Sequence, residues 1–320
     1  MKKVLCITLN PALDMTVMVD CLSLGNVNRA TGVQIDAAGK ALNAAQILSQ
    51  LGVQGVASGF LGADNAGEFD KLFAKSHTNT KLVDEHLPTL LVDEFVRVAG
   101  QTRTNIKLTD NGTTTDINGR GFVVQDNDKA ALMAKVLILA THCDAVLIAG
   151  SLPQGFDGND FDVLLTKILA VNPKVAVDVS GDALKIAMRH SLWLIKPNND
   201  ELFEAFAKPC DTLDEQQALF ATLATDIKHI VISMGDKGVH WLTANQVYRA
   251  TPPAVQVKST VGAGDTLVAG MIYGLLSEHS PREILTTAVA LSAHAVSIVG
   301  FDVADPVRLN ALKSQVAFYG

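Results

Sequence analysis

Short runs that are apolar at nearly every position recur along the chain, at residues 4–9, 53–60, 145–149, 174–178, 192–195 and 229–232. Each ends in turn or capping residues, and most are followed by a helix-length segment. Strands apolar on both faces belong to a parallel sheet covered by helices on either side. A helix over 40–51 fits between the first two runs. The pattern predicts a doubly wound α/β fold with a mostly parallel central sheet.

Residues 16–35 and about 94–124 break this rhythm, alternating polar and apolar positions with Gly and Asn turns and no long helix. In the second stretch Asn111-Gly112 separates two alternating runs, a strong hairpin signal. These strands predict a small accessory β-sheet, a lid formed from about 14–36 and 94–124, on a single domain spanning 1–320. The apolar segment 284–299 carries Thr286, Thr287, Ser292, His294 and Ser297, so it reads as a buried helix and not a membrane span.

Composition narrows the partners. With 48% hydrophobic and 18% charged residues the chain is an ordinary folded protein, and its net charge of −7 offers no global field for nucleic acid or anionic membrane. A few well-placed Lys or Arg would still serve a phosphorylated small molecule. Cys6, Cys21, Cys143 and Cys210 are scattered without a C-x-x-C pair, which predicts reduced, buried thiols in a cytoplasmic protein. The opening Met1-Lys2-Lys3 resembles a signal peptide, but the apolar run after it is too short, and a first strand is expected.

In doubly wound sheets ligands bind beyond the carboxyl ends of the strands. Polar punctuation falls there: 10–14, Gly150-Ser151, Asp178, 196–198 and 233–235. Such residues also make ordinary turns, and only their joint placement favours a site. The most informative stretch is Val261-Gly262-Ala263-Gly264-Asp265-Thr266, entering a helix over 267–276. Glycines before a helix let N–H groups converge on an anion, aided by the helix dipole. Asp265 then sits where it can take a proton from a hydroxyl attacking a phosphoryl group. On spacing alone, Asp265 reads equally as an N-cap.

Gly262-Ala263-Gly264-Asp265-Thr266 with Ala269-Gly270 resembles the second signature of the ribokinase-like (PfkB) carbohydrate kinases, Ala269 replacing a usual Gly. Ala38-Gly39-Lys40-Ala41-Leu42-Asn43 resembles the first, with Ala38 and Ala41 for glycines. Asn198-Asn199-Asp200-Glu201, after Lys196-Pro197, is similar to the family's N-x-x-E motif, and Ser233-Met234-Gly235-Asp236-Lys237-Gly238 to its S/T-x-G-x-x-G. The resemblance covers nearly the whole chain. It implies a ribokinase-like fold, ATP and Mg2+, and a homodimer joined through the lid. Gly39, Lys40 and Asn43 would contact substrate. Lys196, Asn198, Ser233, Gly235, Gly238, Gly262 and Gly264 would contact ATP, and Asn198 with Glu201 would hold magnesium, partly through water. Asp265 is the implied catalytic base, with Gly262, Ala263 and Gly264 stabilising charge on the γ-phosphate.

Residues 7–14, ending in Asp14, and Thr102-Arg103-Thr104-Asn105-Ile106-Lys107 are similar to the branch acting on phosphosugars. There Asp14 would hold sugar hydroxyls. Arg103, whose planar fork suits phosphate, would bind the substrate's existing phosphate with help from Lys107, four residues on along a strand. The closest likeness is to members acting on fructose 1-phosphate; tagatose 6-phosphate and fructose 6-phosphate remain alternatives, as does a non-catalytic sugar-phosphate sensor. A P-loop, a dinucleotide fingerprint and zinc-type histidine spacings are missing from the sequence.

Overall fold

A computed structural model describes residues 1–320 apart from 82–89, 111–112, 224, 299 and 301, and apart from the side chains of 76–81. In chain order, β1 (Lys3–Thr8), β2 (Ala12–Val19) and β3 (Gly32–Ala38) lead into α1 (Lys40–Gln50), β4 (Gln54–Gly62), α2 (Gly67–Lys81) and β5 (Leu91–Val98). Next come β6 (Arg103–Asp110), β7 (Thr113–Asn118), α3 (Asp126–Thr141), β8 (Ala145–Ala149), α4 (Gly158–Val171), β9 (Val175–Asp178) and α5 (Gly181–Ala187). The chain continues through β10 (Leu194–Ile195), α6 (Asn199–Phe206), α7 (Leu213–Phe220), β11 (His229–Ser233), β12 (Val239–Leu242) and β13 (Val247–Thr251). It closes with α8 (Ala263–Leu276), α9 (Pro281–Val296), α10 (Pro306–Gln315) and β14 (Ala317–Tyr319).

The large sheet runs β14-β13-β12-β11-β10-β9-β8-β1-β4-β5. The pairs from β5 to β11 are parallel, and β12, β13 and β14 add antiparallel at one edge. Alternate residues of the inner strands feed separate cores. Cys6 and Leu147 pack on one face with α1, α8 and α9, whereas Leu5, Ile7, Val146 and Ile148 pack on the other with α3, α4 and α5. That division explains why these strands read as continuous apolar runs. α9 is buried along most of its length, as the sequence anticipates for this segment.

The small sheet has the order β3-β2-β6-β7, with β2 and β6 parallel. β6 and β7 pair antiparallel with Asp110 opposite Thr113; the expected Asn-Gly turn between them lies outside the described residues. One boundary moves. Residues 94–98, expected in the lid, belong to β5 and pair parallel with β4 at the edge of the large sheet. Leu91, Phe95 and Val98 are buried while Arg97 is exposed, so an edge strand covered unevenly mimics the alternation of an accessory sheet. The cysteines also divide: Cys6 and Cys210 are buried, Cys143 is half-buried, and Cys21 is exposed, contrary to expectation.

Candidate active site

β1, β9, β10 and β11 end on the same side of the large sheet, and the starts of α1, α6 and α8 face them across a cleft of about 370 Å³. The small sheet supplies its remaining wall through Asp14, Arg103 and Asn105.

α8 begins where Gly262 adopts φ 81°, a left-handed conformation that glycine reaches without strain. Asp265 lies in the first turn, 6% exposed. Its environment is set mostly by Asn43 on α1. The Asn43 amide accepts from the Gly39 N–H at 3.3 Å and donates to Asp265 Oδ2 at 2.7 Å. The amide is thereby oriented from both ends, and Asp265 Oδ1 remains for another partner. α1 itself is anchored by the Leu42 N–H donating to Thr8 Oγ1 at the end of β1.

Burial raises the Asp265 pKa to about 6, with the nearby Asp178 carboxylate acting in the same sense. The Asn43 hydrogen bond and the ammonium groups of Lys40 and Lys196 oppose the rise. A carboxyl group tuned towards neutrality is suited to accepting a proton from an alcohol.

Asp178, at the end of β9, organises the cations. Lys196 Nζ is 3.3 Å and Lys40 Nζ 3.5 Å from its Oδ1, while its buried Oδ2 has no hydrogen-bond partner. Lys40 also reaches Glu201 Oε1 at 3.8 Å, and the two carboxylates, Asp178 foremost, raise its pKa. Lys196 is 4% exposed, and a Cβ placed on Gly264 would lie 3.3 Å from its Nζ. A cation therefore stands against the first turn of α8, so any anion held there meets both helix N–H groups and a buried ammonium.

Asn198 and Glu201 form a capping box at the start of α6. Asn198 Oδ1 accepts the Glu201 N–H at 2.7 Å, and Glu201 Oε2 accepts the Asn198 N–H at 2.9 Å. Their spacing thus serves the helix start first. Burial raises the Glu201 pKa, against the pull of Lys40. Oxygen donors are present nearby: Glu201 lines the cleft with Oε1 3.8 Å from Lys40, and Asp178, buried behind Lys40, keeps an unpartnered Oδ2. This donor set fits a hard divalent cation that keeps several waters.

On the small sheet, Asp14, Asp36, Asn105 and Asn118 form one row across the four strands. Asn105 Nδ2 donates to Asp14 Oδ1 at 3.0 Å, and its buried Oδ1 is without a partner. Burial raises the Asp14 pKa, while Asn105, Lys107 and Arg103 draw it down. Arg103 donates to the carbonyls of Asn10 at 3.1 Å and Pro11 at 3.4 Å, which fixes its guanidinium beside the cleft.

Most of the residues expected from sequence converge here: Asp14, Gly39, Lys40, Asn43, Arg103, Lys196, Asn198, Glu201, Ser233, Gly262, Gly264 and Asp265 all line the cleft. Lys107, Gly235, Gly238 and Ala263 stand off the lining. Gly238 has its own reason to be glycine: φ is 106°, and a Cβ would meet the Ala250 carbonyl at 2.2 Å. Asp178 and Asn105 carry no site role in the sequence reading. The first was visible only as a polar strand end, the second as a neighbour of Arg103.

The model of the "pfkB family carbohydrate kinase" matches residues 2–306. The chain belongs to this family. As a family member it is an ATP-dependent sugar kinase with a ribokinase-like fold. It is 42% identical to a 1-phosphofructokinase of Vibrio cholerae, over 98% of this chain and 96% of the relative. A 1-phosphofructokinase of Escherichia coli is 36% identical, over 98% and 97%. Among solved structures, a possible 1-phosphofructokinase of Thermotoga maritima superposes with a TM-score of 0.83, covering 99% of both chains at 24% identity, which shows the shared fold.

Proposed function

We propose that this carbohydrate kinase transfers the γ-phosphoryl group of ATP to the 6-hydroxyl of fructose 1-phosphate, giving fructose 1,6-bisphosphate and ADP. The observation that carries the reading is full-length similarity to relatives named 1-phosphofructokinase at 42% and 36% identity, joined to a cleft that pairs a carboxylate base with buried cations.

In this reading Asp265 Oδ1 receives the hydroxyl proton while Asn43 holds Oδ2. The N–H groups of Gly262, Ala263 and Gly264, with Lys196 against the same turn, stabilise charge on the transferring group. Asp14 and Asn105 orient sugar hydroxyls, both as acceptors, Asn105 through its free carbonyl oxygen. Arg103 meets the phosphate already on the sugar, with Lys107 adding charge from farther along β6. Ser233 and Asn198 border the nucleotide, and Gly235 and Gly238 shape the loop beneath it. Magnesium would be held by Glu201 and Asn198, in part through water, and would neutralise phosphate charge.

The small sheet acts as the lid over the sugar, and its outer face supports a homodimer. Opposite the Asp14 row, the row Ile35, Met15, Ile106 and Ile117 crosses all four strands, with Val33, Val17 and Leu108 beside it. Val33 and Ile117 are each 57% exposed. A second copy would cover this apolar face. Among the described residues no helix is long and apolar enough to cross a membrane; a cytoplasmic location would suit the proposed substrates.

The test is a coupled ADP-release assay across fructose 1-phosphate, fructose 6-phosphate, tagatose 6-phosphate and fructose. The highest kcat/KM is expected with fructose 1-phosphate. Preference for either 6-phosphate would reassign the acceptor, and ADP release with none of the four would rule out fructose 1-phosphate as the acceptor.

A further inference from the structure

A second cavity of about 240 Å³ lies at the antiparallel edge of the large sheet, lined by Lys237, His240, Arg249, Ala250, Thr251 and Tyr319. It shares no lining residue with the catalytic cleft. His240 and Arg249 are register partners across β12 and β13, so their side chains emerge side by side on one face. Lys237 joins them from the turn before β12.

This grouping is electrostatically one-sided. No carboxylate lines the cavity, and among the described residues neither Lys237 nor Arg249 forms an ion pair. The described partner of Arg249 is the Tyr319 ring, 5.5 Å away. Burial and the neighbouring Arg249 lower the His240 pKa, so the two standing cations are Lys237 and Arg249. The imidazole is also oriented. The fully buried Gln216 donates to the Cys210 carbonyl through Nε2 at 2.9 Å, so its Oε1, 2.7 Å from His240 Nδ1, is the acceptor. Nδ1 therefore carries the hydrogen, and Nε2 is left without a partner in the cavity wall.

We propose that this cavity binds a tetrahedral dianion, either inorganic phosphate or the phosphate of a small phosphomonoester, between Lys237, His240 and Arg249. The guanidinium supplies a planar donor pair, and the ammonium adds a mobile one. His240 Nε2 and the phosphate share a single proton. A protonated ring donates to the dianion, and a neutral ring accepts from the monoanion, which for a phosphomonoester has a pKa near 6. The cavity is smaller than the roughly 300–1,000 Å³ of clefts that take drug-sized ligands, which suits a single phosphate group. The site stands whichever phosphosugar the catalytic cleft prefers.

The experiment follows the His240 ring resonances of the full-length protein labelled on histidine, assigned by their loss in His240→Gln. Inorganic phosphate is titrated with the catalytic cleft saturated by a non-hydrolysable ATP analogue, at ionic strength matched with potassium chloride. A saturable shift is expected, weakened about tenfold or more in Arg249→Ala and in Lys237→Ala, both at exposed positions. Glycerol 3-phosphate distinguishes the sources: tighter binding than phosphate marks a metabolite site, equal binding a phosphate site. No saturable shift through the millimolar range, an equal shift in both variants, or the same shift with chloride alone would overturn the proposal. So would loss of the shift when the ATP analogue is added, since the cations would then belong to the nucleotide.

Discussion

Replacing Asn43 by leucine tests whether Asp265 is the group that accepts the proton. The Asn43 amide donates to Asp265 Oδ2 at 2.7 Å and so favours the charged carboxylate, whose pKa stands at about 6 because burial and Asp178 outweigh that help. Leucine fills a similar volume and donates nothing. A hydrogen bond to a charged group contributes about 1.5–3 kcal/mol, and one pKa unit corresponds to about 1.4 kcal/mol, so the apparent pKa should rise by about 1–2 units. The sign follows directly: the base works only when ionised, so the acidic limb of kcat/KM moves to higher pH. The wild-type limb by itself does not identify Asp265, because a substrate phosphate also titrates near 6. The displacement does, since the substrate is common to both enzymes. The assay is coupled ADP release over about pH 5–9, with ATP and magnesium saturating. An unmoved limb in an Asn43→Leu enzyme that still turns over would remove Asp265 from the role of base.

Asp265→Asn should lower kcat by about 10²–10⁴ with both KM values nearly unchanged, measured in the same assay; near-normal turnover would contradict base catalysis. The same variant should be more stable at pH 7.5. The raised pKa means that the native state holds its proton more tightly than the unfolded chain, so stability falls as pH climbs from about 4 to 6 and the full cost, about 2–3 kcal/mol, persists above. Thermal unfolding should show the gain at pH 7.5 and its disappearance below about pH 4. Arg103→Ala should raise KM for the phosphosugar about 10- to 150-fold and leave KM for ATP near wild type; equal effects on both would count against its assignment. Lys196→Ala strips the nearer of two cations from the fully buried Asp178 and should cost about 3 kcal/mol in urea unfolding, the lower end for a broken buried pair because Lys40 remains.

The main strands and the glycine turn before α8 were legible because their signals are local. Residues 145–149 are apolar at every position and form β8 with those bounds, and Gly262 occupies the left-handed conformation that a glycine entering a helix suggests. Residues 94–98 misled because exposure, not sheet membership, sets alternation, and an edge strand has one poorly covered side. Asn198 and Glu201 show the limit of motif spacing: one helical turn suits a capping box as well as a metal, and the capping box is formed. Asp178 was hidden for the opposite reason. Its meaning lies in Lys40 and Lys196, 138 and 18 residues away, and no local pattern announces that meeting.

The machinery rests on two sheets. Asp14, Asn105 and Arg103 sit on the small one, while Asn43, Lys196 and Asp265 stand on elements of the large one, and neither sheet extends the other's hydrogen-bond ladder. On the proposed reading a phosphosugar is the one acceptor long enough to grip both at once, phosphate on Arg103 and hydroxyl on Asp265. On that reading, water reaching Asp265 would have nothing with which to engage the small sheet. Discrimination against spending ATP on solvent would then be a matter of span: the reaction waits for a molecule that can bridge the gap.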